Sequence, residues 1–268
     1  MTHSTKTPSV GLTFRTLFYR ELRTALLNRF IGLFCTVALV AGVAPLFVDQ
    51  TRGGDTAAIF LTQMVTYLVP LFALLIGCGS AQADIEERDF LFSLPISTRT
   101  ILLGKFFALW ALFGIASLLL AAPAGLGESD LGVLTILCLY ATGTGGVFLA
   151  LGLATGFSTN DRVKAHLVAL CVWFIFLAGF DLAALASANF PVVQNCPSLW
   201  TAVLALNPLD SMRVGQLLSA GGVPFDATRM PWFVQGWLGH LGLFFSIVSA
   251  GWILVGLGWS HRRLQYVN

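Results

Sequence analysis

Charged side chains are scarce in this sequence. Asp, Glu, Lys and Arg make up 10% of the 268 residues, whereas soluble domains carry about 25%. The formal net charge of +2 is too small to indicate a nucleic-acid partner, since such proteins concentrate positive charge on one face. Apolar runs occupy more than half of the chain, which leaves no room for a soluble domain with its own core.

The motifs of phosphate and metal chemistry are also missing. Gly104-Lys105 lacks the upstream glycine and the following Ser or Thr of a phosphate-binding loop. No CxxC, HExxH or pair of histidines at i, i+4 occurs, so no metal site has ligand spacing. Asp181 lies in an apolar run with no second acid or nearby histidine, which argues against an intramembrane enzyme. We therefore expect no catalytic residue, no metal ligand and no cofactor bound by this chain.

Cysteine usage does not predict a disulfide framework. Four of the five cysteines lie inside apolar runs, and only Cys196 faces the outer compartment. Cys196 thus has no intrachain partner on its side of the membrane. We expect a free thiol there, with pairing across a dimer as the alternative.

Six apolar runs are long enough to cross a bilayer, which requires about 20 residues. Six crossings place both termini on one side. That side receives 12 of the 15 Lys and Arg residues, so the positive-inside rule predicts cytoplasmic termini. The predicted fold is an all-α membrane protein with six transmembrane helices, at Phe30–Val48, Ala57–Ala81, Thr100–Ala122, Leu131–Phe157, Ala165–Ala186 and Phe233–Trp259.

The leader, residues 1–29, contains an amphipathic helical pattern. Apolar residues follow i, i+3, i+4 spacing, and Arg15, Arg20 and Arg23 lie opposite. A basic amphipathic helix before a first span is typical of an interfacial helix on the inner leaflet. A cytosolic cap packed on the helix bundle is the alternative. The apolar positions are Phe14, Leu17, Phe18, Leu22, Ala25 and Leu26.

Two spans carry residues that affect helix packing. Pro70 lies near the middle of the second span and predicts a kink, which serves either packing or a gate. Gly152 and Gly156 form a small-xxx-small pair on the fourth span, which allows two helices to approach closely. This pair is compatible with packing inside one subunit and with a dimer seam.

The segment between the second and third spans combines charges with apolar residues. Five charges precede Phe90 and Phe92, and Pro95 ends the helix before the chain restarts one. This combination predicts a short helix docked on another protein, because interface anchors are aromatic and rim charges tune the encounter. Apolar residues on the inner leaflet beside solvated acids are the alternative. The charges are Asp84, Glu86, Glu87, Arg88 and Asp89, and the segment 158–164 adds Asp161 and Arg162 as a lesser docking contact.

The outer segment, 187–232, is long and holds a second group of polar candidates. Asn207-Pro208-Leu209-Asp210 has an N-cap residue, a proline at the first helical position and an acid in the first turn. A helix is therefore predicted from Pro208 to about Ser219. Together with the apolar stretch 198–206 it predicts a re-entrant helix pair in the outer leaflet. Asp181 either lines a polar cavity or outer gate, or it pairs with Arg213 or accepts hydrogen bonds from the outer loop.

The order of these features resembles the permease subunits of type-2 ABC transporters. Leu94-Pro95 and Leu103-Gly104-Lys105-Phe106 match that family, whereas residues 86–91 (EERDFL) depart from its usual Gly-Thr centre. Within the family, the chain is similar to the NosY-type permeases along nearly its whole length. The stretches that carry this likeness are YLVPLFALLIG (67–77), ILLGKF (101–106), WFIFLAGFDLAALA (173–186), LALNPLDSMRVGQLL (204–218) and SHRRL (260–264).

The resemblance implies an ABC-2 type permease domain over 30–268, working as a homodimer in a bacterial inner membrane. It implies a separate, NosF-like ATPase that holds ATP and Mg²⁺, and a periplasmic NosD-like partner, with a copper chaperone as a further candidate. The resemblance further implies that the transporter serves copper-site maturation of nitrous oxide reductase, by export of a sulfur species or copper, or by force transmission. A non-transporting scaffold for periplasmic assembly factors and an exporter of another cargo are the alternatives.

Overall fold

The computed structural model describes residues 10–47, 54–87, 96–121, 131–187, 205–219 and 240–266, together with positions 190, 191 and 195. Every regular element in these ranges is helical. The α-helices are α1 Val10–Leu26, α2 Arg29–Val43, α3 Gly54–Glu86, α4 Thr98–Ala121, α5 Leu131–Gly156, α6 Arg162–Phe174, α7 Phe180–Ser187, α8 Pro208–Ser219 and α9 Leu241–Tyr266.

Five of the described helical stretches are long and apolar enough to cross a membrane. They lie in α3, α4, α5, the continuous α6–α7 stretch and α9, and a sixth results if the bent pair α1–α2 counts as one span. The helix α2 has 15 residues and continues into a 3-10 turn, Ala44–Phe47. Together they rise about 30 Å, which matches the hydrocarbon core of a bilayer. The chain is thus a multi-pass membrane protein.

The helix α3 runs through Pro70 without a break from Gly54 to Glu86. Its neighbour is α5, and the two helices approach closely because glycines stand at their contact. A Cβ atom added at Gly77 would lie 2.6 Å from the carbonyl oxygen of Leu149, and one at Gly152 would overlap the carbonyl oxygen of Leu74. The small-residue pair of the fourth span therefore serves packing inside the subunit.

The helix α1 lies within the leader, and its apolar side meets α4. Leu17 and Ala25 are buried, and a Cβ atom at Gly104 would lie in ordinary contact, 3.5 Å from Leu17 Cβ. This packing corresponds to the alternative of a cap on the bundle. Leu26 and Leu27 stay exposed where the chain bends by 67° into α2. The interfacial location of α1 remains a prediction.

One end of the bundle gathers α1, the end of α3, the starts of α4 and α6, and the end of α9. Arg20 reaches Glu87 at 3.1 Å, the Arg99 Nε donates to His261 Nε2 at 3.2 Å, and Trp259 Nε1 donates to Ser158 Oγ at 2.9 Å. We call this the inner end, which the charge distribution predicts to be cytoplasmic. The opposite end, which carries α7 and the start of α8, is the outer end.

Candidate functional site

The inner end displays two exposed acids where α3 finishes. Glu86 Oε1 lies 3.6 Å from Arg162 Nη1, and Glu87 Oε2 lies 3.1 Å from Arg20 Nη2. Both ion pairs are open to solvent, so they contribute little to stability. They do connect the end of α3 to α1 and α6, immediately before the segment that was predicted to dock.

Most of that predicted docking segment lies outside the described residues. This applies to Arg88, Asp89, Phe90, Phe92 and Pro95. Their assignment to coupling stays a prediction. The structure describes the helices on either side of it, which are the end of α3 and the start of α4.

Asp84 does not project outward as the sequence pattern suggested. Its Oδ1 lies 2.9 Å from Lys105 Nζ, and its side chain is only 13% exposed. The same ammonium lies 2.8 Å from Glu21 Oε2. Asp84 therefore faces the interior, because a buried cation on the neighbouring helix pairs with it.

The sequence carries a signal for this cluster in the positions of its charges. Glu21 stands four residues after Leu17 and four before Ala25, on the buried stripe of α1. Lys105 stands three residues after Leu102 and four before Leu109, on the buried stripe of α4. Charges at core-facing positions of two adjacent helices predict that they pair.

The second inner loop is held by side chains that the structure assigns to packing. Gln82 is buried, and its Nε2 donates to the carbonyl oxygens of Gly156 at 2.6 Å and Thr159 at 2.7 Å. Asp161 caps α6, accepting from Val163 N at 2.9 Å. The predicted contact residue Asp161 thus orders the start of α6, while Arg162 meets Glu86 as described above.

The outer end carries the other group of candidate residues. Arg213 Nη1 lies 3.3 Å from Asp181 Oδ2 and 3.3 Å from Asp210 Oδ1. The predicted pairing of Asp181 with Arg213 is confirmed. The guanidinium carbon also lies 5.9 Å from the centroid of the Tyr67 ring, which is within range of a cation–π contact. The cluster joins α3, α7 and α8.

Asn207 fixes the start of α8 and ties it to the preceding span. Its Oδ1 accepts from Leu209 N at 3.1 Å, as expected of an N-cap. Its Nδ2 donates to Asp210 Oδ2 at 2.7 Å and to the carbonyl oxygen of Phe176 at 3.0 Å. Phe176 belongs to a π-helical segment, Ile175–Gly179, between α6 and α7. The predicted helix bounds Pro208 to Ser219 are confirmed.

Burial raises the pKa of the Asp210 carboxyl, and the nearby Asp181 raises it further. The hydrogen bond from Asn207 and the charge of Arg213 act in the opposite direction. In the part of the chain that the structure describes, no group of three or more His, Cys, Asp or Glu is placed to hold a metal ion.

Residues 30–264 match the family described as ABC-2 family transporter protein. The chain belongs to this family and is a membrane permease subunit of an ABC transporter. A relative from Pseudomonas aeruginosa is 33% identical over 238 residues, which cover 82% of this chain and 84% of the relative. A relative from Stutzerimonas stutzeri is 28% identical over 214 residues, which cover 73% and 78%. Both bear the name Probable ABC transporter permease protein NosY.

Proposed function

We propose that a separate ATPase drives this permease by docking on its inner end. The observation that carries the proposal is the placement of Glu86 and Glu87. These exposed acids stand at the end of α3, each held by an arginine from a different helix. A force applied just beyond residue 87 would therefore act on α1, α3 and α6 together, because these two ion pairs connect them. ATP and Mg²⁺ belong to the ATPase in this proposal.

The docking contact itself consists of residues 88–95 together with those two acids. Phe90 and Phe92 enter an apolar pocket of the ATPase, and Asp89 and the two glutamates meet its basic rim. Aromatic anchors supply most of the affinity at such interfaces, while rim charges set register and rate of encounter.

The permease works as a homodimer in this proposal. Only 12% of the membrane-crossing window in Arg162–Ser187 is buried within the subunit, compared with 67% in Thr135–Gly156. The exposed side includes large apolar residues such as Leu167, Phe174 and Leu185. A second copy packed there would supply the other wall of a central path and a second ATPase site. Native mass measurement in detergent tests this, and a monomer that fully stimulates its ATPase contradicts it.

We propose the biological role from the resemblance of the motifs to the NosY-type permeases. The transporter resides in a bacterial inner membrane, with its inner end in the cytoplasm. It serves copper-site maturation of nitrous oxide reductase, by export of a sulfur species or copper, or by transmitting force to a periplasmic NosD-like protein. Asp181, Asn207, Asp210 and Arg213 form the outer gate of the path.

Co-purification with the ATPase tests the docking proposal. The doubly substituted Phe90→Ala/Phe92→Ala permease should insert and dimerise as the wild type does, yet lose its ATPase. A loss of about 1–4 kcal/mol in binding free energy is expected if these side chains are hot spots. Phe47→Ala is the matched control, because Phe47 is an exposed phenylalanine near the outer end of α2.

Two outcomes would contradict the proposal. Wild-type recovery of the ATPase by the double variant would place the phenylalanines on the leaflet. Recovery of periplasmic proteins alone, with no ATPase containing a phosphate-binding loop, would favour the non-transporting scaffold.

A further inference from the structure

The ammonium of Lys105 has an acceptor for each of its three protons. Glu21 Oε2 lies at 2.8 Å, Asp84 Oδ1 at 2.9 Å and Ser80 Oγ at 2.9 Å. The lysine side chain is 4% exposed. An ammonium group has three donors and no acceptor, so this cluster satisfies it completely.

The cluster joins three helices from separate parts of the sequence. Glu21 comes from α1, Ser80 and Asp84 come from the last turns of α3, and Lys105 comes from the second turn of α4. Asp84 and Lys105 therefore stand on the two sides of the segment 88–95. The ion pair between Asp84 and Lys105 thus connects the chain before this segment to the chain after it.

A second contact reinforces the connection to α1. Arg20, the neighbour of Glu21, pairs with Glu87 at 3.1 Å on the surface. Adjacent residues of α1 thus hold the end of α3 once in the interior and once at the surface. The helix α1 also packs against α4 beside this cluster, where Leu17 lies next to Gly104.

Stability alone does not account for this arrangement. Apolar residues of similar volume often replace a buried ion pair with no loss of stability. The cluster also carries two carboxylates for one cation, which apolar packing would avoid. Hydrogen-bonded ion pairs define one relative arrangement of the helices, because each hydrogen bond has a preferred geometry. Apolar contacts are not directional in this way.

We propose that Lys105 is a positioning residue for coupling, which makes α1, the end of α3 and the start of α4 move as one body. This inference rests on the proposed docking of an ATPase beyond residue 87. A displacement of the segment 88–95 then reaches α1 together with the second and third membrane helices. Without the cluster, the end of α3 and the start of α4 could move separately, and the displacement would not reach α1.

The test uses the full permease with its ATPase in lipid nanodiscs. The variant Glu21→Gln/Asp84→Asn/Lys105→Met removes all three charges and leaves no buried ion unpaired. Three readouts are compared with the wild type: thermal unfolding, ATPase binding, and stimulation of ATP hydrolysis by the permease. Arg23→Gln is the matched control, since Arg23 is an exposed charge on the same helix as Glu21.

The expected result is a folded triple variant that binds its ATPase normally and loses at least about fivefold in stimulation, the lower end of typical coupling between sites. Wild-type stimulation in that variant would overturn the inference. Absence of ATPase binding by the wild type itself would instead remove the proposed function. These two failures are therefore distinguishable.

A measurement on the otherwise unaltered cluster covers the case in which the triple variant does not fold. Spin labels at Tyr19 on α1 and Leu103 on α4 occupy exposed positions. Their separation should be the same in the nucleotide-free and ATP-bound complexes, while labels at Tyr19 and Phe47 change separation. A change between Tyr19 and Leu103 would show that the helices do not move as one body.

Discussion

The two ends of this subunit each carry an ionic cluster of one cation and two carboxylates, in different surroundings. At the inner end, Lys105 lies between two carboxylates and is 4% exposed. At the outer end, Arg213 lies between Asp181 and Asp210, and the side chain of Asp181 is 59% exposed. Both clusters join three helices. They differ in how much water reaches them.

This difference indicates that the inner cluster is a fixed connection between helices, whereas the outer cluster can change its pairing. The contacts of Lys105 are 2.8–2.9 Å long, whereas both contacts of Arg213 are 3.3 Å. Water screens an exposed pair and competes for its partners, so such a pair forms and opens at little free-energy difference. The side chains of the inner cluster are only 4–13% exposed, so water competes less for their partners. The inner cluster is suited to transmit displacement, and the outer one to change its pairing.

The largest effect is expected from Lys105→Met. The substitution leaves the carboxylates of Glu21 and Asp84 buried without a counter-ion, which typically destabilises by about 3–5 kcal/mol. Thermal unfolding in detergent measures the loss. The triple neutral variant should recover most of it, because no charge is then left unpaired. A single substitution as stable as the wild type would show that water reaches the cluster.

A smaller effect is expected from the corresponding change at the outer end, Arg213→Met. Asp210 is largely buried and loses a charged partner, and such hydrogen bonds contribute about 1.5–3 kcal/mol. Asp181 loses little because water replaces the guanidinium. The same unfolding experiment measures this. A loss equal to that of Lys105→Met would erase the distinction between the two ends.

The pH dependence of stability provides a gentler probe of the outer cluster. Because burial raises the pKa of Asp210 above its ordinary value of 3.8, the folded state holds this proton more tightly than the unfolded state does. Its contribution is fully present below pH 3.8 and is lost as pH rises through the raised pKa. Asp210→Asn should remove that part of the slope. Denaturant midpoints measured across this range check it, and an unchanged slope contradicts the assignment.

The smallest change in stability is expected from Asp181→Asn. An exposed ion pair contributes about 0–1 kcal/mol, so unfolding should hardly change. Coupled function should nevertheless fall if the pair opens and closes during the cycle. Asp181→Leu with wild-type function would show that this acid is only tolerated there. A charge exchange between 181 and 213 that restores neither folding nor function would contradict the role of the pair.

The elements that were predictable from sequence are those with local causes. Pro208 and Asn207 define the start of α8 through proline geometry and side-chain capping, which neighbouring residues alone determine. The five described spans follow from continuous apolar runs. The pairing of Asp181 with Arg213 was predictable because few charges lie at the outer end.

The inner cluster was harder to predict because it depends on rotation between helices. Asp84 belongs to a run of charges that reads as one solvated group, and only the facing of α3 against α4 separates it from Glu86. The motif that contains Lys105 does not identify a partner for it. The packing of Gly152 against Leu74 also required knowledge of which helices are neighbours. Contacts between helices far apart in sequence decide these positions.

The hydrogen bond from Asn207 to the carbonyl oxygen of Phe176 has a consequence for biosynthesis. The two residues are separated by 31 positions. At about 5–20 residues per second, the ribosome adds Asn207 some 2–6 s after Phe176. During that interval the span that contains the π-helical segment lacks the amide partner it has in the finished protein. Assembly at the outer end therefore has an inherent order, in which the span is made first and α8 closes over it afterwards.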